Sequence, residues 1–173
     1  TGLFALALII VLNTKFGDIP PLAKFLDPFQ GFWKNAEGKK QNPEKELTIE
    51  GLKGSVEIRF DDQMVPHIFA DNNYDLYFAQ GYITAKDRLW QMDIARRAGK
   101  GRLSEVFGEK ALASDKFMRI MNLSEIADRL YASSSKTTKQ ILEAYSSGIN
   151  LFLTENADKL PFEFGALSYS PEP

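Results

Sequence analysis

The sequence predicts an α+β fold, with β-hairpin strands followed by a helix-rich region. Two shifts of pattern and one of composition carry that prediction. From 47 to 70 apolar residues alternate with polar ones, the period of a half-buried strand. From Asp71 onward they recur at helical spacing. A chain of 173 residues that is 44% hydrophobic and 12% aromatic has enough apolar material for one core and is no disordered tract.

The first strands are expected around Leu47 and Ile49, then Val56, Ile58 and Phe60, with Gly51 and Gly54 flanking a hairpin turn. Asp61-Asp62-Gln63-Met64 makes a second turn before the extended run VPHIFA. Asp71, Asn72 and Asn73 are natural N-caps, because their side-chain oxygens accept from the free N–H groups of a helix start. The helix they open carries Leu76, Ala79, Tyr82, Ile83, Leu89, Trp90 and Met92, and Gly99 is its expected stop. Ser104 to Phe107 forms one short turn, ended by Gly108. A helix over 114–131 follows, with Phe117, Ile120, Met121, Ile126 and Leu130 along one side. Ser133-Ser134-Ser135 caps the next, striped by Ile141, Leu142, Tyr145, Ile149, Phe152 and Leu153. After Pro161 the sequence reads as irregular.

Leu3 to Leu12, LFALALIIVL, is an unbroken apolar run. A spanning helix needs roughly 20 apolar residues and a signal-peptide core about 7–15. The chain opens Thr-Gly and not Met, so its natural start is expected to be missing. Three readings stay open: a secretory core, the outer half of a signal anchor, or a buried strand or helix. No A-x-A-like cleavage site follows in VLNTKFGD, which favours the anchor. The expected organisation is a partial signal peptide or anchor at 1–14, a linker at 15–46 and the globular part at 47–173. Pro20-Pro21 and the polar tract NAEGKKQNPEKE support the linker, whose Phe25, Phe29, Phe32 and Trp33 suit a membrane interface or the domain surface. Export predicts a periplasmic or other extracytoplasmic location, with residues 3–12 as the membrane contact.

Several chemistries are excluded outright. No cysteine means no disulfide, thiolate metal site or cysteine nucleophile. The single histidine, His67, excludes two-histidine metal motifs, and it follows Val65-Pro66 with no nucleophile nearby, so a structural role is favoured over a general base. A net charge of −2 gives no global attraction to polyanions.

The block YITAKDRLWQMDIARRAGKGRLSEVFG, residues 82–108, is the densest in polar signals. Lys86, Arg88, Arg96, Arg97, Lys100 and Arg102 suggest phosphate contacts, but Asp87, Asp93 and Glu105 are interleaved with them. Asp93 stands three and four positions before Arg96 and Arg97, where it pairs with either across one helical turn. A phosphate-binding face does not neutralise itself in this way, so no nucleic acid partner is expected. GKGRLS places Gly99 and Gly101 as in a phosphate loop, but Ser104 takes the third glycine position and the stretch follows a helix. What remains is a buried polar framework of Asp87, Arg88, Gln91, Arg96, Arg97 and Arg102, set against a solvated charged face as the alternative.

These residues resemble the penicillin acylase (penicillin amidase) family. The likeness rests on VPHI (65–68), DLYFAQGY (75–82), DRLWQMD (87–93), RR (96–97), GRLSEVFG (101–108), YSSGIN (145–150) and LPFEF…YSPEP (160–173), and covers about 47–173. Met64 departs from it, standing where the family usually has glycine. The resemblance implies the first part of the α chain of an N-terminal-nucleophile hydrolase, within a larger αββα fold. In such enzymes an autoproteolytic precursor yields an α and a β chain. The β chain's first residue, a serine, attacks the amide carbonyl, with its own α-amino group as base. The implied activity is hydrolysis of non-peptide C–N bonds in linear amides, on penicillin-type side chains or acyl-homoserine lactones. Catalytic residues and most of the calcium site are then expected outside this chain, with no cofactor within it. Asp87, Arg88, Gln91, Asp93, Arg96, Arg97, Gly101, Arg102 and Glu105 become framework, bearing on precursor maturation. Two alternatives stand beside this: a family member that has lost its nucleophile, and a nucleic-acid or membrane-surface module.

Overall fold

The computed structural model describes residues 2–14, 16, 21–27 and 51–173. The expected strand at Leu47 and Ile49, most of the linker, and Phe29, Phe32 and Trp33 lie outside the described residues. Helix α1 spans Gly2–Asn13 and α2 spans Leu22–Phe25. Strands β1 (Val56–Phe60) and β2 (Pro66–Ala70) pair antiparallel, with Val56 opposite Ala70 and Phe60 opposite Pro66. Six helices follow: α3 (Asn73–Gly99), α4 (Ser104–Phe107), α5 (Leu112–Met121), α6 (Leu123–Ser133), α7 (Lys136–Glu155) and α8 (Phe162–Leu167). Within residues 51–173 the hairpin comes first and the helices after, the α+β order that the pattern predicted.

The described hairpin turns at 61–65. Asp61 organises that turn: its Oδ1 accepts the N–H groups of Gln63 (2.9 Å) and Val65 (2.8 Å). Gly51 and Gly54 instead belong to a turn pinned to α3, where the N–H groups of Lys53 and Gly54 each donate to Asp75 at 2.8 Å.

The core is the seam between α3 and α7. Phe78, Tyr82, Ile83, Ala85 and Leu89 from α3 meet Ala144 and Phe152 from α7, and Phe164 of α8 closes one end. Two glycines set how close the helices come. A Cβ on Gly81 would stand 2.1 Å from the Tyr145 carbonyl oxygen, and one on Gly148 would stand 2.0 Å from that of Phe78. The two backbones therefore touch directly. Tyr82 packs edge-on to Phe152 with centroids 5.4 Å apart and donates its hydroxyl to Glu155 at 2.8 Å.

Helix α3 ends at Gly99 as expected, with the left-handed Gly101, φ +61°, two residues beyond. Three local expectations are corrected. The helix expected over 114–131 is two helices, broken at Asn122 with φ 54°. Asparagine takes this conformation because its short polar side chain offsets part of the steric cost. The α7 stripe is centred on the small residues Ala144 and Gly148 with Phe152, and Leu142 is exposed. Beyond Pro161 the chain forms α8, since proline pre-sets the backbone angle for a first helical turn.

Candidate functional site

Helix α3 is kinked at Arg88 (φ −139°, ψ 23°), and the last stretch of the helix beyond that kink carries the polar constellation. Asp93 and Arg97 are both buried, at 4% and 5% exposure. Arg97 Nε donates to Asp93 Oδ2 at 2.7 Å, one turn back along the helix. The other carboxylate oxygen, Oδ1, accepts from Arg96 Nη2 at 2.8 Å. Arg97 Nη1 reaches forward to Glu105 Oε2 at 2.7 Å.

The second half of the network comes from the far end of the chain. Arg102 donates to both oxygens of Glu105 and to both oxygens of Glu172, all at 2.6–2.7 Å. Arg96 Nη1 donates to the Pro173 carbonyl at 2.9 Å, and the Tyr169 ring lies 5.0 Å from the Arg97 guanidinium carbon. Three arginines thus face three carboxylates: Asp93 and Glu105 are each shared between two guanidinium groups, and Glu172 lies within 3.8 Å of all three. Burial opposes the charge on Arg97, but Asp93, then Glu172 and Glu105, outweigh it and raise its pKa. Bonds from Arg102, then its charge and those of Arg97 and Arg96, hold the Glu172 carboxyl at about 2. Burial, and then the Asp93 charge, push the Tyr169 phenol up to about 12.

Two buried carboxylates pin the turns that flank this network. Asp115 takes the N–H of Leu103 at 2.8 Å and of Ser104 at 2.7 Å, capping α4. Asp75 holds the 53–54 turn and accepts from Asn72 Nδ2 at 2.6 Å. Burial works against ionisation of both, yet their hydrogen bonds prevail and both pKa values are lowered. Gly101 sits where a Cβ would meet the Asp115 carbonyl oxygen at 2.6 Å and Arg119 Cγ at 2.8 Å, while Arg119 Nε donates to the Gly101 carbonyl.

Chemically, a balanced, hydrogen-bonded ion network fixes geometry; with its lone pairs taken up by guanidinium, it offers no free base. His67 lies apart on the exposed hairpin, its Nε2 3.3 Å from Asp61 Oδ2. Among the described residues no group of three or more His, Asp or Glu side chains is placed to hold a metal ion. The acids of the network are already engaged by arginine, so this cluster does not fit a calcium ion.

Residues 55–173 match the protein-family model described as penicillin amidase. The chain belongs to the penicillin amidase family. It is 38% identical over 124 residues to an acyl-homoserine lactone acylase, QuiP, of Pseudomonas fluorescens (strain Pf0-1), covering 72% of this chain and 15% of that protein. To the penicillin acylase 2 proenzyme of Pseudomonas sp. (strain SE83) it is 37% identical over 127 residues, 73% of this chain and 16% of the relative. Among solved structures it is similar to the thermostable penicillin G acylase of Alcaligenes faecalis, with a TM-score of 0.63 and 36% identity over 69% of this chain and 65% of that one. The chain therefore spans about 15% of the length of the curated relatives it matches.

In this penicillin amidase family chain, Asp93, Arg96, Arg97, Arg102 and Glu105 come together and Gly101 lies next to them. Asp87, Arg88 and Gln91 do not join: they are exposed beside the kink, where Arg88 Nη1 donates to Gln91 Oε1 at 3.1 Å. Of the two readings left open for these three residues, the solvated face is the one they take. Sequence reasoning missed Glu172, Asp75 and Asp115. A signal existed only for Asp75, which stands three residues after the cap Asn72 at the position of a capping-box acid.

Proposed function

We propose that this chain is part of an amidohydrolase that cleaves the amide bond of N-acyl compounds, either penicillin-type side chains or acyl-homoserine lactones. In this reading a serine at the start of a separate β chain, released from the same precursor, is the nucleophile. Residues 87–108 serve as bracing for the helices against which that chain folds. The observation that carries the proposal is the buried Asp93–Arg97 pair tied to Glu105 and Glu172: charged side chains held for shape, within a family whose named members are acylases. An extracytoplasmic location follows from the same reading together with the apolar run at 3–12.

The test is expression of a full reading frame that includes these residues. The purified product is assayed against a chromogenic phenylacetyl amide and a long-chain acyl-homoserine lactone, with N-terminal sequencing of its chains. Expected are two chains, the second beginning with serine, and release of the acyl group from at least one substrate. An unprocessed, inactive product, or full activity in residues 1–173 alone, overturns the proposal.

A further inference from the structure

The apolar residues of α1 surround the helix. At 100° per residue, Leu3, Phe4, Leu8, Ile9 and Leu6 fall at about 0°, 100°, 140°, 240° and 300° around the axis. Exposure runs from 48% at Leu8 to 85% at Leu3, and Leu12 is the one side chain of α1 that is half-buried. A helix that docks in a protein groove needs one apolar stripe and keeps a polar face to water; one apolar all round needs an apolar medium on every side.

The end of the helix points the same way. The final carbonyls of a helix have no partner within it, and in hydrocarbon each unmet carbonyl is costly. Here Asn13 Nδ2 donates to the Ile9 carbonyl at 2.9 Å and Thr14 Oγ1 to that of Ile10 at 2.7 Å. The Thr14 N–H donates to the Val11 carbonyl at 3.2 Å. No charged side chain occurs between Gly2 and Thr14.

We infer that α1 inserts into the hydrocarbon of a lipid bilayer and tethers the domain to a membrane surface. None of the described helices is long and apolar enough to cross a membrane. The described part of α1 is about 18 Å long at 1.5 Å per residue, enough to reach into the hydrocarbon. This does not depend on the hydrolase reading.

The experiment is flotation of the 173-residue chain with neutral phosphatidylcholine vesicles at low salt and at about 1 M salt, where surface charge attraction is screened. The chain is expected to float in both, and the L6K/I10K double variant at least about tenfold less, since a lysine at mid-helix is expelled from hydrocarbon. Both proteins should share one circular dichroism spectrum and one thermal midpoint, because the altered side chains are exposed. The chain has no cysteine, so Leu8→Cys offers a unique site for an environment-sensitive dye. Its emission should shift to the blue with vesicles and be quenched by lipids carrying a deep nitroxide. Equal flotation of the double variant, binding that is lost in high salt, or a dye already buried without vesicles in a self-associated chain each overturn the inference.

Discussion

Arg97 Nε and Asp93 Oδ2 meet at 2.7 Å with both side chains almost wholly removed from water. A buried pair of this kind contributes little net stability over an apolar pair, but removing one partner strands the other's charge. Arg97→Ala should therefore destabilise the domain by about 3–5 kcal/mol. Replacing both residues, as D93L/R97M, should cost clearly less than the sum of the single changes, as urea unfolding of all four proteins would reveal. In the full-length precursor we expect Arg97→Ala to slow self-cleavage; normal processing with turnover lost would assign the residue to the chemical step instead.

At the seam of α3 and α7 the closest approach is tighter than any side chain allows. The Cβ of an alanine at 148 would stand 2.0 Å from the Phe78 carbonyl oxygen, a backbone atom that moves only if the helices part. Gly148→Ala should cost about 3 kcal/mol, the upper end for overpacking, even though alanine is the better helix former. An Ala variant as stable as the parent in urea would show that the helices are free to separate.

How far the sequence foretold all this depends on the range of each interaction. Asp93 with Arg96 and Arg97 was legible because helical geometry alone makes them neighbours. The Asn72 and Ser135 caps were legible for the same reason, since their partners lie three residues on, and the strands were legible from their alternation alone. Glu172 was not, since it meets Arg102 across 70 positions and only packing brings it there. Asp115 answers backbone N–H groups on a distant turn, which carry no side-chain signature, and for Asp75 only its place in the Asn72 cap was readable. The break at Asn122 escaped notice because the apolar period runs through it unchanged. Family resemblance was legible from short motifs, whereas the network that those motifs build was not.

Met64 sits at φ 63° in the hairpin turn with its side chain half exposed. A left-handed conformation costs a residue with a Cβ about 1–2 kcal/mol, and glycine adopts it freely. Because glycine loses more chain entropy on folding, Met64→Gly should recover only part of that, about 0.5–1 kcal/mol. The turn's hydrogen bonds from Gln63 and Val65 to Asp61 use backbone groups and survive the change. Thermal unfolding should place the Gly variant above the parent; a lower midpoint would mean that the Met64 side chain contributes contacts that outweigh the strain.

Acid should loosen the network before alkali does. Glu172 is held at about 2, chiefly by bonds from Arg102, and Glu105, Asp75 and Asp115 are also lowered. A carboxylate depressed on folding binds fewer protons in the folded than in the unfolded chain. Its contribution is therefore complete above the ordinary carboxylate range and is lost as pH falls through the folded value. Stability should accordingly hold near neutrality and fall between about pH 4.5 and 2. The opposite sign applies to the phenols of Tyr82 and Tyr169, raised to about 12 by burial first and then by the carboxylates Glu155 and Asp93. Their contribution is complete below pH 10 and lost as pH climbs from about 10 to 12. Glu172→Gln should flatten the acid limb and leave the alkaline limb in place, because Glu172 does not raise either phenol. A midpoint-against-pH curve in which the Gln variant falls as steeply in acid as the parent would shift the acid sensitivity from Glu172 to the buried pair of turn-pinning aspartates.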